Sequence, residues 1–174
     1  TLSEALNLFK KGELLKAKNI CEEILKKDIN NSKAHNLCGF ILYSNKNFDE
    51  AITSWKKATN INPSYIEAYN GLGNVFLKLD KLDLAIQNFE KAIKINPNYF
   101  EAYCNLGSVM IKLEKYQDAI NNFEKAIKIK PNYSQAMYGK AYSLMKNKNY
   151  SDAIIYFNKF IKYNPQNADA FNAI

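Results

Sequence analysis

Arginine is missing from this chain and histidine occurs once, and both shortages limit the chemistry that the chain can carry. All 24 cationic side chains are lysine, so no guanidinium fork is present for paired recognition of phosphate, carboxylate or guanine. The single histidine, His35, cannot by itself form a histidine-based metal cluster or a paired proton relay. We expect His35 to be a buried packing residue, and we expect neither a metal nor a cofactor.

Cysteine is scarce as well. The three cysteines, Cys21, Cys38 and Cys104, lie far apart and show neither a CxxC pair nor zinc-ligand spacing. An odd number of separated cysteines is typical of a reducing compartment, so the sequence predicts a cytoplasmic location. Cys21 is expected to fill space in the core.

Long apolar runs and the short motifs of enzymes are also missing. No stretch approaches the roughly 18 apolar residues that span a membrane, and residues 1–10 lack the basic start and apolar centre of a signal peptide. There is no glycine-rich phosphate loop, no zinc signature and no nucleophile motif. The sequence therefore predicts a protein that is not an enzyme, although an apolar fraction of 47% is ample for a folded core.

What the chain does have is a repeat. Its four prolines stand 34 residues apart, and three further positions recur in step with them. They hold a small residue, then an alanine, then a large aromatic residue one helical turn later. Such self-similarity is typical of stacked helical repeats. The recurring residues are Pro63, Pro97, Pro131 and Pro165; Gly39, Gly73, Gly107 and Ala141; Ala51, Ala85, Ala119 and Ala153; and Trp55, Phe89, Phe123 and Phe157.

Each repeat is predicted to form two helices joined by a tight turn. In residues 66–99 the apolar positions follow the three-four spacing of one helical face, stop at the polar break Lys78–Lys81 and resume at Leu82. Proline ends the second helix because it lacks an amide hydrogen. The small residues are expected where the two helices approach most closely, and the aromatic residue is expected to fill the space between helix pairs.

Capping boxes predict where the first helix of a repeat begins. In this motif a polar side chain before the helix accepts from the backbone N–H three residues later. The Glu or Gln at that later position accepts in turn from the backbone N–H of the capping residue. The predicted pairs are Ser64 with Glu67, Asn98 with Glu101, and Asn132 with Gln135.

The pattern resembles the tetratricopeptide repeat, whose signature runs W-x2-L-G-x2-Y, then A-x3-F, then P. In residues 66–99 the matching positions are Tyr69, Leu72, Gly73, Phe76, Ala85, Phe89 and Pro97. The resemblance implies an all-α fold, a right-handed superhelical solenoid of antiparallel helix pairs, and a single array over the whole chain. The predicted repeats are 1–31 (partial), 32–65, 66–99, 100–133, 134–167 and 168–174, the truncated start of a sixth, after which we expect the natural protein to continue.

The resemblance also implies a concave groove lined by the first helices. Asparagines in this groove would bind a peptide backbone, tyrosines would add apolar area, and a row of lysines would suit an acidic segment. The predicted groove residues are Asn36, Phe40, Tyr43, Asn70, Asn74, Lys78, Asn105, Ser108, Lys112, Tyr138, Tyr142 and Lys146. The clamp that some family members use for acidic chaperone tails is predicted to be absent, because its basic positions fall at Asn70, Gln135 and Gly139.

The leading hypothesis is a protein-interaction scaffold that binds a peptide or partner segment, favourably an acidic one, in the groove. A second hypothesis is the substrate-recruiting region of a larger glycosyltransferase- or sulfotransferase-type enzyme, because the array also resembles those of O-linked N-acetylglucosamine transferase-like and bacterial repeat-transferase proteins. Nucleic-acid binding through the lysine-rich repeats is a weaker alternative, and it predicts binding that falls steeply with salt. Self-association through the open ends of the array is a further expectation, and no membrane partner is expected.

Overall fold

The computed structural model describes residues 1–164, and within that range the secondary structure consists of ten α-helices without a strand. The helices fall into two compact units that divide between Ile95 and Asn96. Pro165 and residues 168–174, which the sequence assigns to the last proline position and to the start of a sixth repeat, lie outside the described residues.

The first unit contains three consecutive helix pairs. Its helices are α1 (Leu2–Lys10), α2 (Leu14–Lys27), α3 (Ser32–Ser44), α4 (Phe48–Ile61), α5 (Ile66–Lys78) and α6 (Leu82–Ile95). The two helices of a pair are joined by a turn of three residues and pack against each other. In addition, α1 packs against α3, and α3 packs against α5. We call α1, α3 and α5 the first-helix layer of this unit.

The second unit repeats this arrangement with two pairs. Its helices are α7 (Phe100–Lys112), α8 (Tyr116–Ile129), α9 (Ser134–Lys146) and α10 (Tyr150–Tyr163). Helix α7 packs against α8 and α9, and α9 packs against α8 and α10. The two-helix unit predicted from the apolar spacing is therefore present throughout residues 1–164.

The turn inside each pair contains one residue in the left-handed region, always at the same position of the repeat. After α3, the N–H of Asn47 donates to the Leu42 carbonyl and the N–H of Lys46 donates to the Tyr43 carbonyl, both at 2.9 Å. These bonds form a Schellman motif, which needs a positive φ at Lys46. The residues in this position are Gly12, Lys46, Asp80, Glu114 and Lys148, with φ of 80°, 63°, 59°, 57° and 62° respectively.

The turn between pairs follows the proline prediction. Pro63, Pro97 and Pro131 each stand two residues after the last residue of α4, α6 and α8. In the first two of these turns, an asparagine precedes the proline. Its side-chain oxygen accepts from the N–H of the residue that follows the proline. Asn62 thus binds the Ser64 amide at 3.1 Å, and the equivalent bond in the next turn is 2.9 Å.

The predicted capping boxes are wrong. Helices α5, α7 and α9 begin one residue later than those boxes require, and their N-cap residues are Tyr65, Tyr99 and Tyr133, none of which makes a side-chain cap bond. In all three turns the N–H of the N-cap tyrosine donates to the carbonyl of the residue before the proline, at 3.0–3.1 Å, and this shared backbone turn places the helix start one residue later.

Three of the four recurring aromatic residues are buried and glycines make room for them, whereas Phe157 is half-buried. Trp55, Phe89 and Phe123 are at most 1% exposed. A β-carbon on Gly73 would lie 2.3 Å from Cε1 of Phe89, and one on Gly39 would lie 2.6 Å from Cε2 of Trp55. The space that glycine leaves is therefore taken by an aromatic ring of the paired helix.

The other recurring positions are buried as expected. The alanine of each pair is buried, and so is Cys21, which takes the aromatic position in the first pair. His35 is also buried, and its Nε2–H donates to the Ile29 carbonyl at 2.8 Å. The predictions that Cys21 fills the core and that His35 is a packing residue are confirmed. The alanines are Ala17, Ala51, Ala85, Ala119 and Ala153.

Candidate functional site

The residues predicted to line a groove lie on α3, α5, α7 and α9, but their exposure differs widely. The lysines on the last turns of α5, α7 and α9 are exposed, as is Tyr138, and the asparagines near the start of α3 and α5 are the least accessible. Lys78, Lys112, Tyr138 and Lys146 are exposed; Phe40, Tyr43, Asn74, Asn105, Ser108 and Tyr142 are half-buried; Asn36 and Asn70 are buried.

The expectation that Asn36 and Asn70 lie on a free face is wrong, because they are only 8% and 7% exposed. The indole N–H of Trp55 donates to Oδ1 of Asn36 at 3.1 Å. Nδ2 of Asn36 donates in turn to the hydroxyl of Tyr65 at 3.3 Å. Asn36 therefore links the buried tryptophan to the surface.

The predicted aromatic residues of α3 are partly structural. The ring of Phe40 meets Trp55 edge-on with centroids 5.2 Å apart, and the ring of Tyr43 lies 6.0 Å from Trp55. These contacts pack both side chains against the tryptophan, and each remains half-buried.

In the second unit, Tyr138 combines exposure with aromatic neighbours. The residue is 41% exposed, and the centroid of its ring lies 5.9 Å from that of Phe157 and 5.3 Å from that of Phe160. On the same helix, the ammonium of Lys146 lies 5.5 Å from the centroid of the Tyr142 ring. Part of the predicted binding surface is therefore in contact with other side chains of the same unit.

One cavity of the first unit lies between α1 and α3, and we call it the α1–α3 pocket. Its volume is about 420 Å³, a size typical of sites for small molecules and side chains. Most of its wall is aliphatic or aromatic, and three side chains supply polar groups. The lining residues are Leu2, Leu6, Phe9, Lys33, Asn36, Leu37, Phe40 and Tyr65.

Of the predicted groove residues, the pocket brings together Asn36 and Phe40. The α1 contribution was not predicted, although Leu2, Leu6 and Phe9 show the four-and-three spacing of one helical face. Nor were Lys33 and Tyr65, which belong to no local pattern in the sequence.

A buried lysine in the second unit was likewise not predicted. Lys140 is 6% exposed, and its ammonium lies 2.7 Å from Oε1 of Glu124 and 3.9 Å from the centroid of the Tyr156 ring. Burial alone would lower the pKa of Lys140, but the hydrogen bonds to Glu124 and Tyr156 outweigh it and hold that pKa above its usual value. The arrangement joins α8, α9 and α10 and is structural.

Residues 1–164 show neither a metal-binding cluster nor a helix that could span a membrane. This part of the chain contains no group of three or more histidine, cysteine or acidic side chains that could hold a metal ion. Nor does any helix in it have the length and apolar character needed to cross a membrane.

The helix pairs, the buried aromatic and small residues, and the Schellman turns define an all-α helical repeat protein. Family comparison is consistent with this class: tetratricopeptide repeat models match residues 39–80, 66–99, 88–121 and 110–174. The chain belongs to the tetratricopeptide repeat family. No curated protein matches its sequence.

Several solved structures are similar to the chain. A crystal structure of MamA is 27% identical, with a TM-score of 0.79, over 95% of this chain and 96% of that one. YrrB, described as a TPR protein with an unusual peptide-binding site, is 22% identical with a TM-score of 0.73, over 99% and 89%. PilF of Pseudomonas aeruginosa is 21% identical with a TM-score of 0.87, over 94% and 74%. The predicted all-α repeat fold is confirmed.

Proposed function

We propose that this protein is an interaction scaffold that binds a segment of a partner protein on the first-helix layer of its first unit. The observation that carries the proposal is the α1–α3 pocket, which offers apolar walls and a few polar groups on one face of that layer. Family membership supports a protein-interaction role, and the peptide-binding site in the name of YrrB makes a peptide the ligand class to test first.

The pocket supports binding through an anchor side chain. Leu6 is 42% exposed although it is apolar, and it lies on the pocket wall. Covering such a side chain with a ligand removes apolar surface from water, at about 25 cal/mol per Å². A bulky apolar residue of the partner that enters the pocket would therefore provide much of the binding energy, as anchor residues do at other interfaces.

The exposed lysines Lys78, Lys112 and Lys146 are proposed to favour an acidic partner, in keeping with a net charge of +7. Outside the α1–α3 pocket, the residues that we propose to contact the partner are the groove residues predicted from the sequence. Recruitment of a transferase substrate and nucleic-acid binding stay predictions.

The test is a selection of random peptides displayed on phage against the immobilised protein. Leu6→Asp should abolish retention of the enriched peptides by placing a charge in the apolar wall. The matched control is Leu15→Asp, because Leu15 is 71% exposed on α2 and does not line the pocket. Failure to enrich any peptide, or equal retention by both variants, would overturn the proposal.

A further inference from the structure

Two of the three cysteines meet where the first helix pair packs against the second. Cys21 lies on α2 and Cys38 lies on α3, and these two helices pack against each other. Both side chains are buried, at 0% and 5% exposure, and both are free thiols. The two thiols are hydrogen-bonded to each other. The fold therefore pairs two sulfur atoms that no sequence motif connects.

A cavity beside the pair gives access to one of the two sulfurs. It lies between α2, α3 and α4, has a volume of about 380 Å³, and is lined by Cys38 together with three residues of α2. Those residues, Lys18, Glu22 and Leu25, stand three before, one after and four after Cys21, so they surround Cys21 on the helix surface. A molecule of about the size of water, which takes up about 30 Å³ in the liquid, can therefore reach Cys38.

Both cysteines stand where the other repeats have larger side chains, which are also buried. Close packing of this contact would be served better by at least one large side chain, so filling space does not by itself account for two thiols that face each other. The position of Cys21 holds Trp55, Phe89 and Phe123 in later repeats, and the position of Cys38 holds Leu72, Leu106 and Lys140.

The hydrogen bond also affects the ionisation of the pair. The bond from Cys38 lowers the pKa of Cys21 against the opposing effect of burial, and the same bond raises the pKa of Cys38. Once ionised, the pair therefore shares one proton between two sulfurs. By contrast, burial raises the pKa of Cys104 to about 12, so that thiol is a poor nucleophile at neutral pH.

We propose that Cys21 and Cys38 form an oxidation site at which hydrogen peroxide produces a reversible disulfide between α2 and α3. The shared proton passes to Cys21, and the Cys38 sulfur attacks one peroxide oxygen. The O–O bond breaks, and the departing hydroxide takes up a proton and leaves as water. Cys21 then loses its proton and attacks the resulting sulfenic acid, the S–S bond forms, the S–O bond breaks, and a second water leaves. Two electrons pass from the sulfurs to the peroxide, and a small dithiol returns them by thiol–disulfide exchange.

The disulfide would lock the first helix pair onto the second. It closes a loop over residues 21–38, and such a closure stabilises the folded chain by restricting the unfolded one. This inference does not rest on the proposed function, because neither cysteine lines the α1–α3 pocket.

The test treats dilute folded protein with excess hydrogen peroxide at neutral pH, removes the peroxide with catalase and counts thiols after unfolding. We expect the count to fall from three to one per chain and the mass to fall by about 2 Da. Peptide mapping without reductant should join Cys21 to Cys38, and dithiothreitol should restore three thiols. The midpoint of thermal unfolding should be higher in the oxidised protein by about 5 °C or more.

Two cysteine variants provide the controls. Cys38→Ala should form no disulfide within the chain and should keep both remaining thiols. Cys104→Ala is the matched control, because Cys104 is equally buried but lies on α7, in the second unit. This variant should lose both of its thiols to the disulfide. Far-ultraviolet circular dichroism before and after treatment checks that each protein stays folded.

Several outcomes would overturn the inference. They are three thiols retained by the parent, a sulfinic acid on one cysteine in place of the disulfide, and a disulfide that involves Cys104 or joins two chains. An oxidised protein that melts no higher than the reduced one would overturn the lock between α2 and α3.

Discussion

Two glycines that contact the same phenylalanine provide a sharp test of the packing. Phe123 is 1% exposed, and the end of its ring lies against Gly107 of α7 and Gly139 of α9. A β-carbon on Gly139 would lie 2.4 Å from Cζ of the ring, and one on Gly107 would lie 2.8 Å from the same atom. Ordinary contact begins at about 3.4 Å, so the ring must shift by about 1 Å for Gly139→Ala and about 0.6 Å for Gly107→Ala.

Two opposing terms determine the expected magnitude. Replacing glycine by alanine within a helix stabilises by about 1 kcal/mol, and overpacking a core costs about 1–3 kcal/mol. We expect Gly139→Ala to lower the free energy of unfolding by about 1–2 kcal/mol and Gly107→Ala to lower it by less than about 1 kcal/mol. Both sites are helical glycines, so the helix-propensity gain is the same for both variants. It therefore cancels when their free energies of unfolding are compared.

The assay is urea unfolding followed by far-ultraviolet circular dichroism. In a background of Phe123→Leu, which has a smaller side chain, Gly139→Ala should no longer destabilise and should approach the stabilisation of about 1 kcal/mol expected from helix propensity, because contacting residues are energetically coupled. A Gly139→Ala variant as stable as the parent, or a Gly107→Ala variant that is the less stable of the two, would refute the reasoning.

Three further predictions concern single side chains. Asn36→Leu leaves the indole N–H of Trp55 without an acceptor and should cost about 1–3 kcal/mol, measured by tryptophan fluorescence in urea; an unchanged midpoint would contradict this. The raised pKa of Lys140 means that its pairing with Glu124 stabilises fully below about pH 10.4 and is lost as pH rises through the folded-state pKa. The melting temperature of the parent relative to Lys140→Met should therefore stay constant from about pH 8 to about pH 10 and fall at higher pH, and a difference that stays constant up to about pH 12 would exclude the pairing. Glu114→Gly should stabilise by about 0.5–1 kcal/mol because φ there is 57°, whereas glycine at the next residue, with a φ of −84°, should destabilise.

The first-unit pocket was only partly predictable from the sequence. The amphipathic spacing placed Asn36 and Phe40 on a first helix, but it could not show that Asn36 would be buried beneath a hydrogen bond from Trp55. That bond joins residues on different helices, and Tyr65 reaches the same amide from beyond the end of α4. The periodicity of apolar residues describes one helix at a time, so it cannot predict contacts between side chains of different helices.

The capping prediction failed for a similar reason. Ser64 and Asn98 have the spacing of a capping box, yet the asparagine before each proline binds their amides first. Helix α9 begins equally late although Lys130 precedes Pro131, so the backbone bond from the N-cap tyrosine across the proline, which all three turns share, decides where the helix begins. The sequence contains both the capping-box spacing and the turn residues, and it does not show which hydrogen bonds form.

By itself, the sequence determined the helix pairs, the turns at Pro63, Pro97 and Pro131, and the burial of the recurring small residues and of three of the four recurring aromatic residues. These features follow from repeated short-range patterns, because the spacing of apolar side chains and the lack of an amide hydrogen in proline act within one or two helical turns. Only the tertiary structure decided that Leu6 and Lys33 share a pocket, that Lys140 pairs with Glu124, and which way the Asn36 amide points. Those features depend on which side chains of separate helices meet, and packing geometry determines that rather than local spacing.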